Sequence, residues 1–341
     1  MKKKCVLFFI FVLIGTAYLQ SRKLTVLHEV GNPDYILIDS GQLLVIDNGK
    51  QLHQYSMKDF KYQKQLFHRG EGPSENLCLG FVQLSPEYIY LYCMKKSLFF
   101  TRDGKFIKEI KTHLRGVNYI LPVKDKFLIE TSTRQRSSAG SSYSISLYFL
   151  NVENEMKYEK VLYYYEIPSI TWKGNKRPLT LIKSEQNVCI FENRIFICDS
   201  DRGLFAQVYD SNGDKLSQVR LELEKIKVPE NYSAEFFGNI KESGKIDSFN
   251  SEFYYDQPEY FPAFFRFYVG KNKFYFLTYK RIGNNREVVI CDWKGNNIRK
   301  AYIPWVNYWD LRNYTIWEDK FYWLVDNQDT EEWELHVVDV K

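Results

Sequence analysis

Short apolar runs alternate with polar punctuation along almost the whole chain. The runs are rich in Tyr, Phe, Val and Ile and are bounded by Gly, Asn, Asp or Ser, the pattern of strands joined by tight turns. No long stretch places apolar residues at i, i+3, i+4 and i+7, as an amphipathic helix would. The runs fall into groups of four, for example "GFVQLS", "YIYLYC", "SLFFT" and "FIKEI". A polar turn recurs within each group, as "FTRDG" at Phe100–Gly104, "YDSNG" at Tyr209–Gly213 and "CDWKG" at Cys291–Gly295. Weaker copies are "YSMKD" at Tyr55–Asp59 and "LNVEN" at Leu150–Asn154. Anchored on Asp59, Gly104, Asn154, Gly213 and Gly295, the spacings are 45, 50, 59 and 82. A repeat of roughly 40–50 residues with several short strands predicts a β-propeller.

The pattern counts six units, and the sixth ends after its third strand, "ELHVVDV". Near the other end, "KLTVLHEV" at Lys23–Val30 reads as a strand with no partner of its own. An unpaired edge invites aggregation. Pairing Lys23–Val30 with Glu334–Val340 removes both loose edges. The expected fold is therefore all-β, a six-bladed propeller of four-stranded antiparallel blades, closed by the N-terminal strand, over residues 22–341. The long spacings place insertions at about 166–185 and 222–262, both between the outer strand of one blade and the inner strand of the next. A short helix is expected after Pro229, ending at Gly244. In a propeller these connections share one face with the turns between second and third strands, so both insertions are expected on one rim.

The first residues read as an export leader. Lys2–Lys4 is a basic start, Cys5–Ile14 is apolar, and Gly15, Thr16 and Ala17 allow cleavage after Ala17. The apolar run is shorter than the ~20 residues a membrane span needs. The expectation is a signal peptide over 1–17 and a periplasmic or extracellular body with no span after cleavage; an uncleaved anchor is the alternative. The net charge of +5 is spread along the chain, which argues against nucleic acid as a partner. Cys78, Cys93, Cys189, Cys198 and Cys291 follow the leader, an odd number. A two-residue turn at Asn193-Arg194 would set Cys189 opposite Cys198, either as two small buried residues or as a cross-strand disulfide.

Three segments carry a resemblance to a known family. They are the hairpin-and-turn unit "LSPEYIYLYCMKKSLFFTRDGKFIKEI", the blade-entry segment "RGEGPSE" at Arg69–Glu75, and "FPAFFRFYVGKNKFYFLTY" at Phe261–Tyr279. Together they are similar to exported bacterial six-bladed propellers of the NHL-like, Bacteroidetes type. The likeness spans nearly the whole chain after the leader. Ser74 stands where that pattern prefers Gly. The resemblance implies the fold and leaves the activity open.

Candidate chemistry lies on loops. In "HRGEGPSE", the two glycines and Pro73 read first as a blade-to-blade connector, with His68, Arg69 and Glu71 as candidate ligand contacts. The segment lacks the Gly-Lys-Ser/Thr ending of a phosphate loop. Arg202, Arg281 and Arg286 sit between second and third strands, where forked donors could hold an anionic or sugar-like ligand. Trp305 and Trp309 belong to an aromatic cluster suited to blade packing or to sugar stacking. The Ser-rich stretch Thr131–Ser142 reads as a loop. Asp199-Ser200-Asp201 is too short for a calcium loop. The five histidines show no metal-binding spacing and no nucleophile elbow is present, so no metal and no cofactor are expected. Three readings stay open. One is a monomeric, non-catalytic propeller binding a small molecule, a glycan or a protein at its loop-rich face. Another is a hydrolase or lyase with carboxylate and Arg residues at the channel mouth. The third is an interaction module of an envelope complex.

Overall fold

A computed structural model describes residues 21–340 apart from 40, 50, 68, 71, 73–74, 76–80, 86, 94–95, 112–116, 138–139, 151–155, 169–176, 180–181, 183–185, 235–252, 256 and 305–312. The expected leader over 1–17 and the end of the helix expected after Pro229 lie outside these residues; 232–234 are helical.

Tight local turns set the architecture. The first two strands of the fourth, fifth and sixth blades are joined by the two-residue turns Glu192-Asn193, Lys271-Asn272 and Glu318-Asp319. Glu192, Asn193, Glu318 and Asp319 have φ between 48° and 59°, the left-handed pairing that matches the twist of a hairpin. The recurring polar turn joins the third and fourth strands. Asp292 Oδ1 accepts the backbone N–H groups of Lys294 and Asn296, and Gly295 takes φ +84°. Asp210 and Gly213 repeat the arrangement.

Six four-stranded antiparallel blades result. The first comprises Pro33–Asp39, Gln42–Asp47, Gln51–Ser56 and Tyr62–Phe67, from the axis outward. The second runs from Phe81 to Lys111, the third from Val117 to Pro168, the fourth from Gln186 to Leu221 and the fifth from Arg266 to Pro304. The sixth takes Tyr314–Trp317, Lys320–Asn327 and Glu332–Asp339 from the C-terminal end, and Arg22–Val26 as its outer strand. Arg22 pairs with Val337 and Val26 with Glu334, so head and tail close the ring as the strand pattern predicts.

The core is divided among the blades. Six apolar clusters each fill one interface between neighbouring blades, such as Leu44, Leu52 and Phe67 against Val82, Leu91 and Leu98. Each sheet therefore buries both faces. Turns add clips between blades. Arg102 in the second blade's turn donates to Asp39 Oδ2 at 3.4 Å, and Ser217 in the fourth blade donates to the carbonyl of Trp293 at 2.7 Å.

At the closure, Glu334 accepts from Asn327 at 2.8 Å and from Lys23 at 3.0 Å, and lies 2.8 Å from His336 Nε2. These bonds, Asn327 first, lower its carboxyl from 4.5 to about 2. A depressed carboxylate contributes stability above its unfolded value and loses it as pH falls through the folded one. Melting temperature is therefore expected to drop between about pH 4.5 and 2, and less steeply in Glu334→Gln. An equally steep fall in the variant would remove Glu334 from the closure.

Two readings need correction. Thr131–Ser142 is mostly strand, not loop: Lys126–Ser137 and Gly140–Leu150 form a long hairpin in which Thr133 pairs with Ser142. At its base the hydroxyls of Thr131 and Ser144 meet across the strands at 2.8 Å. The turn before Arg194 falls one residue earlier than expected, because Glu192 itself adopts positive φ. Cys189 therefore faces Phe196, and Cys198 faces Asn187. Both thiols are free, and burial raises both.

The insertions meet. Arg177–Leu179, before the fourth blade, pairs in parallel with Phe253–Tyr255, before the fifth. The legs of the second insertion also run side by side, with Val228 N–H donating to Glu259 O and Phe261 N–H to Ile226 O.

Candidate functional site

The innermost strands surround a cavity of about 1480 Å³ on the propeller axis. The lining takes neighbouring residues of each strand, apolar and polar together, as Val82, Gln83, Leu84 and Ser85 in the second blade show. Exposure alternates most clearly in the first and fifth blades, where Tyr35, Leu37, Asp39, Arg266 and Tyr268 are half-buried between the buried Ile36, Ile38, Phe267 and Val269. Asn32 and Asn48 line it toward the loop-rich face. Glu192, Lys271 and Glu318 line it at the opposite end.

Two contacts skip a blade at the edge of the cavity. Arg266, on the fifth blade, donates through Nη2 to the Tyr35 hydroxyl of the first blade at 3.4 Å. Its guanidinium carbon lies 5.9 Å from the ring centres of both Tyr35 and Tyr268. Tyr268 is fixed by a 3.0 Å bond to the carbonyl of Tyr314, and burial raises its phenol. Toward the other end, the rings of Phe191 and Trp317 meet edge-on with centres 6.3 Å apart, joining blades four and six. Gln83 is 8% exposed, and its Oε1 has no hydrogen-bond partner among the described residues.

At the far end Asp319 and Asp39 are engaged in structure, while Glu192, Lys271 and Glu318 are exposed. Asp319 is 2.5 Å from Lys273 Nζ and accepts from Tyr275 at 2.9 Å and Arg299 at 3.1 Å. Burial alone would raise its carboxyl, but the bonds from Lys273 and Tyr275 hold it below the usual range. Asp39 accepts from Arg102. Among the described residues no group of three or more His, Cys, Asp or Glu is placed to hold a metal ion.

The residues singled out from sequence lie elsewhere. His68, Glu71, Trp305 and Trp309 are outside the described residues. Arg69, Arg202, Arg281 and Arg286 are absent from the described lining of the cavity. Arg202 lies 3.4 Å from Asp199 and packs over the rings of Tyr163 and Phe205, at the junction of blades three and four. Arg281 and Arg286 stand opposite one another on a hairpin of the fifth blade. Arg281 is exposed, whereas Arg286 is 2% exposed. Arg286 lies 4.3 Å from the centre of the Phe265 ring and donates to the carbonyl of Thr278 at 3.0 Å; burial lowers it to about 10. Arg281 and Arg286 thus share a hairpin, but Arg202 belongs to a different junction. The axial residues Arg266, Tyr35, Gln83 and Asn187 were missed. Their signal is a polar or amphipathic residue at alternate positions of an otherwise apolar first strand, as in "RFYVG" and "QNVCIF".

No family model and no curated protein sequence matches the chain. A crystal structure from Bacteroides fragilis, of a protein inferred to be exported, is similar over 95% of each chain, with 15% identity and a TM-score of 0.52. At that identity the likeness establishes the fold alone. The structure of U3-55K aligns with 94% of this chain and 98% of its own at 7% identity, with a TM-score of 0.45. Among the described residues no helix is long and apolar enough to cross a membrane.

Proposed function

We propose that the chain is an exported, non-catalytic propeller that binds its ligand in the axial cavity, entered from the loop-rich face. The carrying observation is the cavity itself, surrounded by the innermost strands of the blades and lined by polar and apolar side chains together, among them the half-buried Tyr35, Asp39, Arg266 and Tyr268. A rigid ring that gathers side chains from all its inner strands supplies a preformed site. Asp39 and Asp319 are engaged by cations and a tyrosine, which favours binding over proton transfer at those groups. Export is supported by the basic and apolar start of the chain and by the description of the Bacteroides fragilis neighbour.

A thermal-shift screen against glycans, peptides and small anions tests this reading. At a ligand concentration of 100 Kd, binding stabilises the folded state by about 2.7 kcal/mol. The expected result is a hit whose shift disappears in Asn187→Trp, a variant that fills the cavity, while the ligand-free melting temperature changes little. A shift retained in full by Asn187→Trp, or product formation from the hit, would contradict the proposal.

A further inference from the structure

We infer that the axial ligand carries an alkylammonium group, which docks at the end of the cavity opposite the loop-rich face, among the rings of Phe191 and Trp317 and the carboxylates of Glu192 and Glu318. The inference rests on the reading that the axial cavity is the binding site, and it adds the charge and chemical class of what enters. Three observations lead to it.

The first is the sign of the lining and where it is unmatched. Five carboxylates line the cavity against the three cations Arg266, Lys271 and Lys273. Arg266 stands toward the loop-rich end, engaged by the hydroxyl and ring of Tyr35 and the ring of Tyr268. At the opposite end Asp39 is matched by Arg102, and Asp319 by Lys273 and Arg299. Glu192 and Glu318 are exposed there, and neither carboxylate has an ion-pair or hydrogen-bond partner among the described residues, Lys271 included. Unmatched charge of one sign in a concave site draws the opposite ion.

The second is the coupling of each carboxylate to a ring. Phe191 ends the inner strand of the fourth blade and Glu192 follows it; Trp317 ends that of the sixth and Glu318 follows. Both glutamates open the hairpin turn with left-handed backbone, φ 49° and 48°. The two half-buried rings stand with centres 6.3 Å apart. Two blades thus bring two aromatic rings and two carboxylates to one end of the cavity. A ring attracts an ammonium through its quadrupole, a carboxylate attracts it by charge, and both would repel an anion.

The third is an acceptor that needs a donor. Gln83 is 8% exposed, lines the cavity and lies in the inner strand of the second blade, Phe81–Leu84, one residue short of its end. Its Oε1 has no hydrogen-bond partner among the described residues. A buried acceptor left unpaired is costly, and an N–H group satisfies it. Leu37, Val188 and Ile316 also line the cavity and suit the methylene stem behind an amine. Such a group comes either from a lysine of a peptide or from a free polyamine.

Isothermal titration into the full chain at low salt separates these sources and tests the inference. The probes are acetyl-trilysine amide and spermidine, each beside its fully N-acetylated, uncharged form. Acetylation is expected to weaken each amine by about 10-fold, the summed worth of the rings and carboxylates. The tighter of the two amines identifies the source. Added salt weakens the amines and leaves the acetylated forms unchanged. Glu192→Gln and Glu318→Gln, both at exposed turns, each weaken the amines about 3-fold, as a partly screened contact should. Asp125→Asn, in the corresponding turn of the third blade but outside the lining, leaves them unchanged. Equal affinity for an amine and its acetylated form overturns the inference, as does an equal loss in Asp125→Asn and the two glutamate variants. Binding of neither amine also overturns it, and the thermal-shift screen then judges the axial reading separately.

Discussion

Deleting residues 22–30 is expected to lower the melting temperature of the whole molecule by on the order of 10 °C, in a single transition. The segment supplies more than an edge. Leu27 is fully buried and Val30 is 6% exposed, both in the cluster between the sixth and first blades, with Tyr322, Leu324, Ile36 and Val45. Leu27 N–H donates to the carbonyl of Trp333, and Lys23 reaches Glu334 across 311 positions of sequence. Burial of two such side chains contributes about 3–6 kcal/mol, and each lost backbone bond about 0.5–1.5 kcal/mol. That is comparable with the entire stability of an ordinary domain, about 5–15 kcal/mol. For a chain this long each kcal/mol moves the midpoint by about 2 °C. Because the ring passes load through six interfaces, loss of one exposes apolar faces on two blades. Calorimetry on the deleted form checks this: an unchanged midpoint, or a small separate early transition, would mean that the terminal strand only decorates the sixth blade.

Gly104→Val is expected to destabilise the protein by about 2–5 kcal/mol, against about 1–2 kcal/mol for Gly283→Ala. Both glycines have positive φ, +78° and +57°. A side chain in that region carries a strain of about 1–2 kcal/mol at either site. The surroundings differ. A Cβ at Gly104 would stand 2.4 Å from Leu66 Cδ2 on the outer strand of the first blade, whereas one at Gly283 meets nothing within 4 Å. Overpacking adds about 1–3 kcal/mol. Gly104 therefore serves two ends: it makes the turn, and it lets the second blade approach the first. Denaturant melts of the two variants separate these contributions. Equal losses would mean that turn conformation alone requires glycine at 104.

The turn at Gly104 was legible for a local reason. Within five residues it needs a capping oxygen, supplied by Thr101, and a residue with positive φ. Such needs print directly into sequence, and their repetition gave the blade count. Closure was legible because an unpaired strand at one end and a missing one at the other have a single economical solution. The cysteine register was not, since it turned on whether Glu192 or Arg194 shares the turn with Asn193. Glutamate is an uncommon occupant of that backbone region. The site was hidden for a different reason. Exposed arginines on loops draw attention, yet Arg202 and Arg286 are occupied by aromatic rings and neighbouring oxygens. Arg266 sits inside a strand beside Phe265 and Phe267, both buried. Only the knowledge that first strands face the axis turns its alternation with Tyr268 into a lining.

The central claim is that function lies on the axis, where strands from separate blades converge. A crystal structure of the protein with a ligand found in the thermal-shift screen tests it most directly. The account predicts density inside the ring, between Tyr35, Gln83 and Asn187. Density confined to the outer surface of the joined insertions, at 177–179 and 253–255, would contradict it.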